Sequence, residues 1–195
     1  MARMQKTRAN TQEVLIIKSK ALGEMDRMVT LVSQEKGRFI AVAKGVRKLT
    51  SKQKSALESG GMARVYLIER AKGQAWPLVT QASCISDCRE IRGNLVKIRQ
   101  LMQFLEIVDK LIVEMELESE IWQKILLIRE LIVGCEESDG QKNGLIKKKL
   151  EELVIDLGFQ APEKECYQSV MDYVADLTGQ KMKSWRCLDV TRMEV

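Results

Sequence analysis

Five cations, Lys44, Arg47, Lys48, Lys52 and Lys54, fall within eleven residues, and no acid interrupts the chain between Lys36 and Glu58. Arg38 stands just ahead of them. Side chains of this type, in a stretch that also holds Gly45, Thr50 and Ser51, can follow a string of phosphates, because each neutralised phosphate releases condensed counterions. That chemistry is binding, not bond-making. The plain alternative is a solvated charged loop. Arg3, Lys6 and Arg8 add a basic tail that either wraps the same ligand or stays disordered.

Other chemistries have less to work with. The chain has 0 His, which removes the usual general base and the commonest metal ligand near neutral pH. Ser-His-Asp and Cys-His catalysis are therefore excluded, and the expectation is a protein that is not an enzyme. Five cysteines, an odd number at irregular spacings with no CxxC, make neither a disulfide framework nor a zinc site. Cys84 and Cys88 could face each other across a helical turn, but reduced thiols are the simpler account. Asp26 and Arg27 are expected to form a structural pair in a hairpin. No glycine cluster has the GxxxxGK[ST] pattern of a nucleotide loop. Near the end of the chain, Trp185 lies beside Lys181, Lys183 and Arg186. These four either pack on the rest of the fold or flank a groove for an acidic, apolar peptide.

The elements that must carry these residues change character at about residue 82. Before it come five short β-rich runs, at residues 14–18, 28–33, 38–43, 63–68 and 77–81, separated by glycine-containing turns. Five strands of that length suit a small closed barrel of the OB-fold type, with a solvated meander as the alternative. Phe39 and Tyr66 sit in apolar strand patterns and are expected in the core. With so few aromatics among the cations, backbone contact should outweigh base stacking.

From about residue 87 the apolar period becomes helical. Ile91, Leu95, Ile98, Met102, Leu105, Val108 and Ile112 make one long stripe, with Gly93 weakening its start. Residues 118–133 make a second helix, and residues 136–144 read as a loop. Ile146, Leu150, Leu153 and Leu157 make a third, and Cys166, Val170, Tyr173 and Leu177 a fourth, closed by Gly158 and Gly179. The fold class is α+β. It divides into an OB-fold barrel over residues 1–82 and a helical bundle over 83–195.

Charge follows the same division. Residues 1–80 carry 16 Lys and Arg against 6 Asp and Glu, a surplus of 10, while the rest carry 16 against 21. Such asymmetry suits a polyanion-binding half joined to one with another task. No apolar run approaches the roughly 20 residues that cross a bilayer, and the first residues lack a signal-like apolar stretch.

The stretch from Gly23 to Lys48 resembles the start of the RecO family. The family's G-x-D-R-x-V-T-L hairpin is matched by Gly23, Asp26, Arg27, Val29, Thr30 and Leu31, its E-x-G-(K/R) by Glu35, Gly37 and Arg38, and its A-V-A-K-G-x-R-(K/R) by residues 41–48. Looser similarity continues at Leu57-Glu58, at Leu78 to Gln81, at Leu150 to Phe159, and at Lys181 to Ser184. The resemblance implies a DNA repair and recombination mediator that binds single- and double-stranded DNA and anneals strands. It also implies work with RecR to place RecA on strands coated by single-stranded DNA-binding protein (SSB), whose acidic, apolar tail the helical domain receives. A cytoplasmic, nucleoid-associated bacterial protein follows from the same resemblance. Many members carry a CxxC…CxxC zinc module after the L-G-(Y/F) element. This chain has no such cysteines, so no metal or other cofactor is carried over. Arg38, Lys44, Arg47, Lys48, Lys52 and Lys54 are the expected DNA contacts, and Lys181, Lys183, Trp185 and Arg186 the expected peptide contacts. A general RNA or single-strand chaperone, or a scaffold, remains the rival on charge alone.

Overall fold

The computed structural model describes residues 9–46, 53, 55–69, 76–134, 140–161, 167 and 169–184. Two compact units make up the chain, residues 1–87 with 113–117, and residues 88–112 with 118–195.

The first unit holds five strands, β1 (Ala9–Leu22), β2 (Asp26–Ser33), β3 (Gly37–Ala43), β4 (Met62–Ile68) and β5 (Leu78–Ser86). They close into a barrel in the order β1-β2-β3-β5-β4. Every pairing is antiparallel except β3 with β5. Alternation along β3 shows the logic. Phe39, Ala41 and Ala43 are buried, whereas Arg38, Ile40 and Val42 are less so and take the other face. The interior packs Val14, Ile16, Leu31, Phe39, Val65 and Leu67 against one another. Each such side chain contributes about 1.5–3 kcal/mol by leaving water. β5 continues to Ser86, past the boundary expected after residue 82, and so places Cys84 on a strand and not on a helical turn.

β1 is long because it serves two partners. Residues 9–15 pair with β4 and residues 15–22 with β2. Between Ile16 and Lys18 the register slips, as a β-bulge does when a strand must bend. Two glycines hold the bend. Ile16 N–H donates to the Gly61 carbonyl at 2.9 Å, and Gly60 N–H donates to the Ile16 carbonyl at 2.7 Å.

Residues 113–117 complete the barrel unit from far downstream. Arg38 N–H donates to the Val113 carbonyl at 3.0 Å, and Leu117 N–H donates to the Gln34 carbonyl at 2.7 Å. This approach needs Gly37. Its φ is +60°, and a Cβ there would stand 2.3 Å from the carbonyl oxygens of both Val113 and Met115.

The second unit contains α1 (Leu95–Leu111), α2 (Ser119–Val133), α3 (Gly140–Asp156) and α4 (Val170–Thr178). The first helix begins later than its apolar stripe suggests. Residues 89–91 form a separate 3₁₀ turn, Gly93 takes φ +105°, and the Asn94 side chain then caps α1 by accepting from Lys97 N–H at 3.1 Å. The buried face also differs. Leu95 and Met102 are exposed, and Leu101, Phe104 and Ile107 are buried with Leu105 and Val108.

α3 starts at Gly140, inside the segment expected to be a loop. Two glycines and a run of polar residues weaken the helical signal there, but they do not forbid a helix whose later turns are packed. Its end follows expectation, with Gly158 at φ +88° and Phe159 N–H donating back to the Val154 carbonyl. Gly179 closes α4 in the same left-handed conformation, and Ser169 caps its start. Cys166 lies outside the described residues.

Gly37→Ala is expected to destabilise the barrel by at least about 2 kcal/mol more than Gly23→Ala, because overpacking adds to left-handed strain only at position 37. Gly23 shares a positive φ but has nothing within 4 Å of a Cβ. Urea denaturation of the two variants measures the difference.

Candidate nucleic-acid interface

The bend in β1 decides which lysines reach the surface. Val14 and Ile16 are in phase, and both point into the barrel. Lys18 and Lys20 share their even numbering, so an unbroken strand would bury them too. The one-residue slip reverses the alternation, and beyond it Lys18 pairs with Thr30 and Lys20 with Met28. Thr30 and Met28 in turn pair with Ile40 and Val42 on β3. Lys18, Lys20 and Arg38 therefore share the outward face of β1–β2–β3, and Lys44 follows Val42 in the same phase, immediately past the end of β3. Lys20 and Lys44 are exposed. Sequence reasoning missed Lys18 and Lys20. Their i, i+2 spacing was a usable signal only for a reader who knew where the strand bends.

The loop after β3 is anchored by an acid. Asp26 Oδ1 accepts from Gly45 N–H at 2.9 Å, with Gly45 at φ +67°. Arg27 instead donates from Nη1 to Ser19 Oγ at 3.2 Å. Asp26 and Arg27 are thus structural, but not as the expected mutual pair, because adjacent strand residues point to opposite faces. At the other end of β2–β3, Lys36 forms an ion pair with Glu69 and lies 5.7 Å from the Phe39 ring centre.

Arg47, Lys48, Lys52 and Lys54 lie outside the described residues. Gln53, between the last two, is described. Its Nε2 donates to the Thr80 carbonyl on β5 at 3.4 Å. Phe39 is buried as expected, at 2% exposure, but Tyr66 is 40% exposed. The expectation for Tyr66 fails because β4 alternates strictly, and Val65 and Leu67 take the interior positions on either side of it. Trp76 is likewise exposed.

In the helical unit, Lys181 and Lys183 are exposed and Met182 is buried between them. Trp185 and Arg186 lie outside the described residues. The residue that fixes this segment is one that sequence reasoning passed over, Glu106 on α1. Its Oε1 accepts from Lys183 N–H at 2.7 Å. Its Oε2 accepts from Ser184 N–H at 2.7 Å and from Ser184 Oγ at 2.6 Å. Burial raises the Glu106 pKa, but those three hydrogen bonds together with the charge of Lys110 outweigh it, so the carboxyl titrates below its ordinary value. Elsewhere in this unit a cavity of about 200 Å³ opens between α1, α3 and the start of α4. Ile107, Ile146, Leu150 and Met171 line it with Gln103 and Lys147, and Lys181 and Lys183 do not.

A closed five-stranded barrel followed in the chain by a four-helix unit is the class of protein that the fold defines. The comparisons narrow it. Residues 4–87 match the family model for the Recombination protein O N-terminal domain. The chain is 32% identical over 99 residues to a DNA repair protein RecO from Heliobacterium modesticaldum, covering 51% of this chain and 35% of that protein. It is 34% identical over 132 residues to one from Nocardioides sp., covering 66% and 52%. A third, from Shouchella clausii, is 26% identical over 155 residues, covering 80% and 57%. Over residues 4–87, then, the chain is similar to the N-terminal domain of the RecO family. It spans between about a third and somewhat over half the length of these relatives.

A carboxylate with a lowered folded-state pKa stabilises above its unfolded value, and that stability is lost as the pH falls through the folded value. Glu106→Gln should therefore lower the thermal midpoint of the chain at pH 7, and the gap to wild type should shrink as the pH drops below about 4. Calorimetry across that range reads both effects. A gap independent of pH would show that the Glu106 charge contributes nothing.

Proposed function

We propose that this chain acts in DNA repair and recombination by binding single-stranded DNA along the outer face of its barrel, read as an OB-fold. The observation that carries the proposal is that Lys18, Lys20 and Arg38 share the outward face of β1–β2–β3, with Lys44 just past the end of β3. Neighbouring strands are about 4.8 Å apart. By register, Lys20 and Lys44 are two strands apart, so a polynucleotide crossing the face meets several cations in succession. Asp26 holds the base of the loop that bears Arg47, Lys48, Lys52 and Lys54, and Gln53 brings that loop beside β5. The surplus of 10 positive charges in residues 1–80 acts at longer range.

The finer activities implied by the family belong to this reading. They are annealing of complementary strands and, with RecR, the loading of RecA onto SSB-coated DNA. The cavity between α1, α3 and α4, apolar at its floor and with Lys147 at its lining, supports the helical unit as receiver of the acidic, apolar SSB tail. Lys181 and Lys183 are exposed on the same unit and stand as alternative contacts for that tail. Among the described residues no helix is long and apolar enough to cross a membrane. The work proposed for the chain is that of a mediator, in which DNA strands change partners without any covalent bond being made or broken.

The test is the salt dependence of affinity for a single-stranded oligonucleotide. Each phosphate contact contributes about 0.7 to the slope of log affinity against log salt. Replacing Lys18, Lys20, Arg38 and Lys44 together with Ala should weaken binding and flatten the slope by up to about 3 units. An unchanged slope would mean that the face is not the DNA path. Preference for structured RNA over SSB-coated complementary DNA would replace the mediator with an RNA chaperone.

A further inference from the structure

One side of the barrel carries an aromatic stripe that the electrostatic reading does not use. Tyr66 and Trp76 are 40% and 44% exposed, although burying an aromatic ring is among the larger gains open to a small domain. Their positions are related. Ile68 on β4 pairs with Leu78 on β5. Tyr66 is two residues before Ile68, and Trp76 two residues before Leu78. Ile68 and Leu78 are half-buried. Tyr66, Ile68 and Leu78 thus share one outward face of β4–β5, and Trp76 stands just ahead of β5. Thr11 and Gln81 are the cross-strand partners of Tyr66.

This face runs into the cationic one. β3 pairs with β5 through Val42 and Leu78, so the outward row Lys20–Met28–Val42 continues into Leu78–Ile68. Lys44 follows Ala43, whose parallel partner Val79 directly precedes Thr80. Thr80 is the extra residue where the β4–β5 register slips between Tyr66 and Leu67, and its Oγ1 donates to the Tyr66 carbonyl at 3.3 Å. The end of β3, from which Lys44 extends, and Tyr66 on β4 therefore lie on opposite sides of β5. That suits a phosphate held on one side and its base on the other. Gln53 meets the same Thr80 from the basic loop. On the same strand, two residues before Tyr66, Arg64 is paired with Glu13 at 2.7 Å. The recognition there is of a ring face and not of a charge.

We propose that Tyr66, with exposed Trp76 ahead of β5 as a secondary contact, is a stacking platform for unpaired bases of a single strand whose backbone passes Lys44. The proposal rests on the DNA-binding reading above and divides its labour, with β1–β2–β3 holding phosphates and β4–β5 holding bases. An extended duplex offers no free base faces to such a surface, so the platform selects single strands.

The test uses the full chain with two oligonucleotides of equal length and charge, oligo-dT and its abasic analogue, titrated at several salt concentrations. Wild type should prefer oligo-dT. Tyr66→Ala should lower oligo-dT affinity roughly 5- to 100-fold, the range for one lost stacked base, and should abolish the preference over the abasic strand. Its salt slope should stay that of wild type. Tyr66→Phe should retain both affinity and preference, and Trp76→Ala should show a smaller loss of the same kind. Two results would overturn the proposal. One is equal binding of the two strands by wild type. The other is a Tyr66→Ala variant with an undiminished dT preference; in both, a steep wild-type slope would leave the phosphate-binding reading standing. A wild-type chain that binds neither strand removes both.

Discussion

The bulge in β1 is the constraint on which the barrel and its face both depend. A straight strand of this length can pair with β2 or with β4, but closure requires both, and the slip between Ile16 and Lys18 supplies the bend. The same slip takes two lysines out of phase with the apolar core. An uncompensated ammonium inside the barrel would cost several kcal/mol. Closure and a cationic exterior are therefore one geometric event. Gly60 and Gly61, which hydrogen-bond Ile16 from either side, belong to it as much as the lysines do.

How far the sequence carried a reader can be judged from particular elements. All five strands were legible, because β-branched runs bounded by glycine turns leave few alternatives. The basic loop and Arg38 were legible as charge. Lys18 and Lys20 were not, since phase along a strand is readable only where the strand is regular. Tyr66 was misplaced for a related reason. An apolar run such as VYLI looks uniformly buried until its alternation is fixed by the neighbours that close the barrel. In the helical unit, glycines misled in both directions: Gly93 ended a pattern that apolar spacing alone carried through, while Gly140 and Gly144 stand inside a helix. Glu106 had no local signal at all. Its partners lie 77 and 78 residues away, and only the folded chain brings them together.

The two units solve the problem of buried polarity in different ways. In the barrel, Gln12 is nearly wholly buried; its Oε1 accepts from Ser33 Oγ, while its Nε2 finds no partner among the described residues. The helical unit buries full charges. Arg129 is 0% exposed, with Nη1 donating to Glu130 at 2.6 Å and Nη2 donating to Cys88 Sγ at 3.8 Å. Lys124 bridges α2 to Asp156 and Glu152 on α3. The buried Arg129 guanidinium is costly to leave without a partner, whereas the partly exposed Lys124 pairs contribute less.

The five residues 113–117 have a consequence for the order in which the molecule is made. Synthesis proceeds from the N-terminus, and domains generally fold as they emerge. The barrel strands are complete once Ser86 has left the ribosome, yet the backbone groups of Gln34 and Arg38 find their partners only when Val113 and Leu117 follow, after the whole of α1. The nascent barrel therefore waits with one edge unpaired while a helix of the other unit is translated. Maturation of the barrel is in this way timed by the helical unit, and neither is finished before the other has begun.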